Sequence, residues 1–243
     1  MGRSPEGPKL NVIQICPHAA NPFSYSSCPR RGHGGDAGSV TDHLAQALLD
    51  VLIFWMLTTP HEFAHAWVAT RLGDDTPRRD GRVTLNPLAH VDLFGTVIIP
   101  LATSLLGGGF LGWGRPVMTD PRKLRGGRYG MALVALAGPV SNLIFAGIVV
   151  ILANLMPNAV DILFRAVYLS IYLALFNLIP LPPLDGSKVL LATGFPVRWY
   201  IELSRYGFLL LMVLFYSTGL GRWLSVATMA GSSALFHALV FRL

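Results

Sequence analysis

Long blocks of apolar residues alternate with short polar stretches along this chain of 243 residues. Six blocks can be distinguished, and a helix rises about 1.5 Å per residue, so the longer blocks can cross a bilayer. The blocks cover about residues 44–72, 93–113, 131–156, 162–181, 206–220 and 223–241. Lipid offers the backbone no hydrogen-bond partner, so each span should be helical. The pattern predicts an all-α fold, a polytopic bundle of transmembrane helices.

Composition supports a membrane protein. Hydrophobic residues make up 52% of the chain and charged residues only 13%, whereas soluble domains usually carry about 25% charged residues. The net charge is +6, but the basic residues cluster in short stretches between apolar blocks, as they do in the cytoplasmic loops of membrane proteins. Binding of nucleic acid is therefore not expected.

Residues 1–43 form a different region, which is polar and interrupted by Pro and Gly. This composition predicts a disordered N-terminal tail. The tail contains both cysteines, Cys16 and Cys28, and two cysteines do not make a disulfide framework. Together with His18 and His33 they could in principle hold a metal, but the irregular spacing favours an unstructured segment.

The sequence HEFAH at positions 61–65 lies in the middle of the first apolar block. His61 and His65 are four residues apart, which places both imidazoles on one face of a helix, where they can bind the same ion. Glu62 lies beside them, where it can take a proton from water that the metal activates. Ionisable groups at this depth are costly, so they favour a functional site over histidines that serve packing alone.

A catalytic zinc ion needs a third protein ligand and an open coordination position. Asp185 is the candidate, because it follows the fourth apolar block in a Pro-rich, irregular segment, which membranes tolerate only around a cavity. The alternative is that Asp185 is a turn residue before Gly186. Three further candidates are weaker. Asp50 lies about three turns from His61, towards the other interface, while capping, turns or interface hydrogen bonds explain His90 and Asp92 better.

With these motifs the chain resembles the site-2 protease family of intramembrane metalloproteases, in its compact bacterial and archaeal branch. The resemblance covers most of residues 44–190. Besides HEFAH, the matching segments are GRVTLNPLAHVD at 81–92, AGPVSN at 137–142 and NLIPLPPLDG at 177–186. Several motifs in the order typical of the family make the resemblance specific.

The resemblance implies one zinc ion per chain, bound by His61, His65 and Asp185, with Glu62 as general base. It also implies that Asn177 lies near the site and helps to hold the substrate or the oxyanion. The alternative for Asn177 is a hydrogen bond between helices, a common role of Asn in membranes.

A shared metal constrains the topology. If every block crossed the membrane, HEFAH and Asp185 would lie at opposite faces, because consecutive crossings alternate in direction. The conflict disappears if block 93–113, which contains Pro100 and three successive glycines, enters and leaves on one side. Residues 71–130 then carry nine basic residues on that side, so the positive-inside rule places the metal towards the cytoplasm. We expect about five spanning helices plus this re-entrant or bent segment, with six spans as the alternative.

The sequence therefore predicts an intramembrane zinc metalloprotease that hydrolyses peptide bonds in or near transmembrane segments of other proteins, as in regulated intramembrane proteolysis. Residues 44–190 form the predicted catalytic core, and residues 191–243 add C-terminal transmembrane helices. The expected surroundings are the lipid bilayer of a prokaryotic cell membrane, and the expected partner is a transmembrane protein substrate; the oligomeric state is left open. The alternative is a membrane protein that binds or transports metal without peptidase activity.

Overall fold

The structure is a computed structural model that describes residues 40–106 and 110–239, and the described parts contain helices and no strands. The helices are α1 (Val40–Arg71), α2 (Thr76–Arg79), α3 (Pro87–His90), α4 (Ile99–Leu105), α5 (Arg128–Leu155), α6 (Val160–Asn177), α7 (Asp185–Ala192), α8 (Val197–Ser217) and α9 (Leu220–Leu239), with a π-helical turn at Leu93–Ile98 and a 3-10 turn at Pro157–Ala159. The all-α fold class is confirmed. Most of the predicted tail, residues 1–39, lies outside the described residues, and α1 already begins at Val40.

Among the described residues, three helices are long and apolar enough to cross a membrane: α1, α5, and α6 with the 3-10 turn before it. The last two helices, α8 and α9, pass the same test only as a pair, and they meet at a bend of 76°. The predicted number of five or six spans was therefore wrong, because the two C-terminal blocks are the arms of one bent pair. The bend contains Gly219, whose φ of +70° is a conformation that glycine adopts without strain.

The core of the bundle lies between α1, α5 and α6, and α6 contributes its most continuous buried stretch, residues 167–174. Aromatic side chains of α6 stack along this stretch, since the rings of Tyr168, Tyr172 and Phe176 follow one another at centroid distances of 6.3 and 6.2 Å. Large apolar residues on the outer face of α5, such as Ile144 and Ile148, are exposed. An apolar outer surface is what a helix bundle presents to lipid.

A buried ion pair joins α1 to α6. Arg165 Nη1 lies 3.0 Å from Asp50 Oδ1, and both side chains are largely shielded. Ionisable groups within a membrane usually pair with one another, because an unpaired charge there is costly. The pair accounts for Asp50, one of the weaker ligand candidates, as a contact between two spanning helices.

The segment between α1 and α5 is shaped as a hairpin. The π-helical turn and α4 together cover residues 93–105, a length of about 20 Å, which is short of the roughly 30 Å hydrocarbon core. The chain then returns, because the Trp113 N–H donates to the Gly95 carbonyl at 2.9 Å and the Arg115 N–H donates to the His90 carbonyl at 2.8 Å. This return agrees with the predicted re-entrant segment and places the C-terminal ends of α1 and α6 on the same side.

The returning segment, residues 110–120, is fastened at its far end by Asp74. One carboxylate oxygen of Asp74 accepts from the Thr76 N–H at 3.0 Å, and the other accepts from the Asp120 N–H at 2.6 Å. Burial alone would raise the pKa of this carboxyl group, but the hydrogen bonds from Thr76 and Asp120, with the charge of Lys123, hold the pKa below its usual value. Asp74 therefore stabilises the fold as a carboxylate.

Replacing Asp74 with Asn is expected to lower the stability of the protein by about 1–3 kcal/mol at neutral pH, because one of the two partly buried backbone N–H groups loses its acceptor. The pKa is lower in the folded chain than the unfolded value of about 3.9, so the carboxylate stabilises above roughly pH 4, and this contribution disappears as the pH falls through the folded pKa. Unfolding temperatures can be measured in detergent from neutral to acid pH. The difference in unfolding temperature between wild type and variant should become smaller as the pH falls.

The matched control is Asp161→Asn, which removes an exposed carboxylate. The control should change the unfolding temperature less than Asp74→Asn does at neutral pH. If the difference in unfolding temperature between wild type and Asp74→Asn stays constant across the pH range, the charge of Asp74 contributes nothing to stability.

Candidate metal centre

The two histidines of HEFAH lie on one buried face of α1, as the spacing predicts. Their Nε2 atoms are 3.1 Å apart, and both side chains are buried. The Nδ1 atom of His65 lies 2.7 Å from the carbonyl oxygen of Val134 in α5. A carbonyl oxygen only accepts, so Nδ1 carries the proton and donates, and Nε2 keeps its lone pair for a metal.

Asp185, the first residue of α7, meets both histidines across 120 residues of chain. Its Oδ2 atom lies 3.0 Å from His65 Nε2 and 3.3 Å from His61 Nε2. Its other oxygen, Oδ1, accepts a hydrogen bond from Lys188 Nζ at 3.0 Å. Sequence reasoning missed Lys188, although a separation of three residues on a helix places the two side chains side by side.

The three side chains fit a zinc ion. The two Nε2 atoms and the Oδ2 atom form a triangle whose sides are 3.0, 3.1 and 3.3 Å. Ligand atoms about 2.0–2.1 Å from a tetrahedral zinc ion lie roughly 3.3 Å from one another. Two imidazole nitrogens and one carboxylate oxygen are also a donor set that zinc accepts, and three protein ligands leave the fourth position free.

Helix α5 approaches the two histidines closely at Gly138. A Cβ atom at Gly138 would lie 2.6 Å from His61 Nε2 and closer still to His65 Nε2. Only a residue without a side chain fits there. This gives a physical role to the segment AGPVSN, for which the sequence indicated family resemblance alone.

Glu62 lies between α1 and the returning segment of the hairpin. Its Oε2 atom accepts a hydrogen bond from the Val117 N–H at 3.3 Å, and the carboxylate is mostly buried. A Cβ atom at Gly114 would be 3.2 Å from Glu62 Oε1, so the backbone of this segment runs directly against the carboxylate. Neither contact could be inferred from the order of the motifs.

Asn177 is the last residue of α6, and its amide Nδ2 donates to the Leu173 carbonyl of the same helix at 2.9 Å. In the part of the chain that the structure describes, no hydrogen bond links Asn177 to His61, Glu62, His65 or Asp185. Its role towards a substrate stays a prediction.

The two remaining weak ligand candidates have structural partners. The Nε2 atom of His90 lies 2.8 Å from the Thr84 carbonyl. The side chain of Asp92 caps the helical turn that begins at Leu93, since it accepts from the Gly95 N–H at 2.7 Å. Both observations agree with the turn and capping roles expected for them.

Comparison of the sequence with known proteins identifies a family of peptidases. The model of peptidase family M50 matches residues 153–214. The candidate zinc metalloprotease YwhC of Bacillus subtilis is 39% identical over 186 residues, which cover 70% of this chain and 81% of that protein. The candidate zinc metalloprotease Rip2 of Mycolicibacterium smegmatis is 30% identical over 182 residues, with 71% and 69% covered.

A third relative, Rip2 of Mycobacterium tuberculosis (strain H37Rv), is 29% identical over 202 residues, which cover 77% of this chain and 75% of that protein. No solved structure matches the chain significantly. The likeness to YwhC extends over most of both chains, and the apolar helices and the clustered HEFAH and Asp185 agree with it. The chain is therefore an integral-membrane zinc metalloprotease that belongs to peptidase family M50, the site-2 protease family.

Proposed function

We propose that His61, His65 and Asp185 hold the zinc ion and that Glu62 is the general base in hydrolysis of peptide bonds in or near transmembrane segments. The observation that carries this assignment is the triangle of Nε2, Nε2 and Oδ2 atoms with sides of 3.0–3.3 Å. The buried Glu62 directly follows the first of these two histidines on the chain.

Each protein group has a defined task in this proposal. Zinc bound there supplies Lewis-acid chemistry, which polarises a carbonyl group and acidifies water. The Glu62 carboxylate accepts the proton of the attacking water and later passes it to the leaving amine. The Val117 N–H orients the carboxylate through its hydrogen bond, while the Val134 carbonyl orients His65.

The substrate has to reach this site as an unwound segment. A peptide group inside a helix is hydrogen-bonded and shielded, so the helix must open around the bond that is cut. Residues with low helix propensity near that bond lower the cost of opening by up to about 1 kcal/mol for each Gly. Asn177 is proposed to help hold the opened segment or the oxyanion, and this role rests on the family resemblance alone.

The orientation follows from charge. The segments that join α1 to α5 carry nine basic residues between positions 71 and 130, and the positive-inside rule assigns such segments to the cytoplasm. The ligands lie near the ends of α1 and α6 on that side, so we propose an active site nearer the cytoplasmic face. The bacterial origin of the relatives supports a prokaryotic cell membrane. All four site residues fall within the proposed catalytic core, residues 44–190.

The full-length protein is the material for the test. Purified in detergent, it should contain one zinc ion per chain by elemental analysis, and in vesicles it should cleave at least one member of a panel of single-span membrane proteins. A zinc chelator should stop cleavage, and added zinc should restore it. Cleavage that is indifferent to the chelator would contradict a zinc mechanism, and zinc flux across the vesicle membrane without cleavage would favour the metal-transport alternative.

A further inference from the structure

A cavity of about 500 Å³ opens beside the returning segment of the hairpin. It is lined by Asp80, Arg82, Arg115, Pro116 and Met118. Three of these residues flank Val117 on the chain, and the Val117 N–H bonds to the Glu62 carboxylate. The cavity therefore lies beside the chain segment that contacts the proposed general base, and none of its lining residues belongs to the proposed metal centre.

The charge of the cavity is unbalanced. Two arginines face a single aspartate, and neither arginine forms an ion pair with any residue in the described ranges. Arg82 is only 9% exposed, and its guanidinium donates to the Ala89 carbonyl. Burial and the neighbouring charge of Arg115 lower the pKa of Arg82, against the opposing effect of Glu62 and Asp80.

An anion would relieve this imbalance. A guanidinium group presents several N–H donors in one plane, which matches the two oxygens of a carboxylate. Arg115 is exposed, so its donors are accessible from outside, while Arg82 is a buried residue of the cavity lining. A ligand that enters beside Pro116 and Met118 meets positive charge from both arginines.

We propose that this cavity binds an acidic side chain of the substrate, close to the peptide bond that is cut, and so selects substrates with Asp or Glu beside the cleavage point. The inference rests on the proposed function, since the site beside the cavity must cut the bound chain. Single-span proteins usually carry Lys and Arg on the cytoplasmic flank of the membrane. Two arginines in the cavity repel such flanks, so the same charges that attract an acidic substrate exclude most other proteins.

The test uses a single-span reporter that the wild-type protein cleaves and the Glu62→Gln variant does not. Each position flanking the cleavage point is changed in turn to Glu, Gln or Lys. Wild type should cleave the Glu reporter about tenfold faster than the Lys reporter at one position, because a charge-assisted hydrogen bond contributes roughly that factor. The Arg115→Glu variant should reverse the ranking at the same position.

The matched control is Arg122→Glu, which makes the same charge change at a side chain that is 95% exposed and outside the cavity. This variant should keep the wild-type ranking of reporters. Equal rates for all three reporters in wild type, or the same ranking in wild type and Arg115→Glu, would overturn the proposal.

Binding can be measured apart from cleavage. A photo-crosslinking amino acid at position 118, in the Glu62→Gln background, should capture the Glu reporter about tenfold more than the Lys reporter. The protein that carries the crosslinking residue but keeps Glu62 is tested for cleavage in parallel. If capture shows this preference and that protein cleaves no reporter, the proposed function is contradicted and the cavity assignment stands. If the reporters are cleaved but capture shows no preference between them, the cavity assignment is contradicted and the proposed function stands.

A lipid phosphate, like a substrate carboxylate, is an anion that accepts hydrogen bonds from arginine. A further experiment therefore distinguishes the two ligands. Rates are compared in vesicles of phosphatidylcholine alone and in vesicles that also contain phosphatidylglycerol. The reporter ranking should be the same in both. If instead the anionic lipid changes the rate for every reporter equally, and Arg115→Glu removes that change, then a lipid occupies the cavity and the proposal fails.

Discussion

Replacing Glu62 with Gln is expected to reduce cleavage of membrane substrates strongly while leaving one zinc ion bound per chain. Glutamine keeps the size of the side chain, and its amide oxygen can still accept the Val117 N–H that now bonds to the carboxylate. The three proposed ligands are untouched. The variant loses only a group that can take a proton, and general acid–base catalysis contributes about 10²–10⁴-fold to a rate. We expect a fall of at least about a hundredfold.

Cleavage of a reporter in vesicles and zinc analysis of the same purified sample measure the two halves of this expectation. The matched control is Glu202→Gln, which removes an exposed carboxylate on α8 and should leave both readings at the wild-type level. Wild-type cleavage by Glu62→Gln would exclude Glu62 as the base. Loss of zinc from this variant would mean that Glu62 holds the metal centre together rather than serving the reaction.

The grouping of residues at the proposed metal centre was largely predictable from the sequence. Two histidines at helical spacing within an apolar block leave few explanations other than a site, and the need for a third ligand pointed to Asp185. This pairing also led to the prediction of a re-entrant segment, because one ion cannot be shared between opposite faces of a membrane. The hairpin, whose described parts are residues 93–105 and 110–120, and the distances of 3.0 and 3.3 Å from Asp185 to the two histidines agree with that reasoning.

The number of spans was not predictable from hydropathy. The blocks at 206–220 and 223–241 are apolar whether they form two crossings or the two arms of one bent pair. The distinction depends on backbone direction near Gly219, where the chain turns by 76° between α8 and α9. A single glycine does not encode an angle in the sequence pattern, since it permits many conformations.

Contacts between distant backbone groups and the proposed catalytic residues could not be predicted from the sequence either. The Val117 N–H bonds to Glu62 across 55 residues, and a backbone N–H is present at every residue except proline. No residue type marks such a donor in advance. The Val134 carbonyl that orients His65 is invisible for the same reason, whereas Lys188 beside Asp185 could have been found from helical spacing.

Replacing Gly138 with Ala is expected to remove zinc from the protein and with it the activity. The added methyl group would lie 2.6 Å from His61 Nε2 and closer to His65 Nε2, the two atoms proposed to bind the metal. Gly138 is on α5, which is packed against α1 along its buried face, so the helices cannot separate without loss of close packing. The imidazoles must move instead, and a misplacement of about 1 Å at a catalytic site costs roughly a hundredfold in rate.

The zinc content, measured by elemental analysis, and the rate of reporter cleavage should therefore both fall in Gly138→Ala. In Glu62→Gln only the rate of cleavage should fall. The control is Gly147→Ala on the same helix, where a Cβ atom meets nothing within 4 Å. This control gains helix propensity of nearly 1 kcal/mol and should keep full zinc and full activity, so helix α5 as such tolerates the exchange. A Gly138→Ala protein with one zinc ion and wild-type cleavage would show that the ion is not bound by the Nε2 atoms that face Gly138, and the proposed ligand set would have to be abandoned.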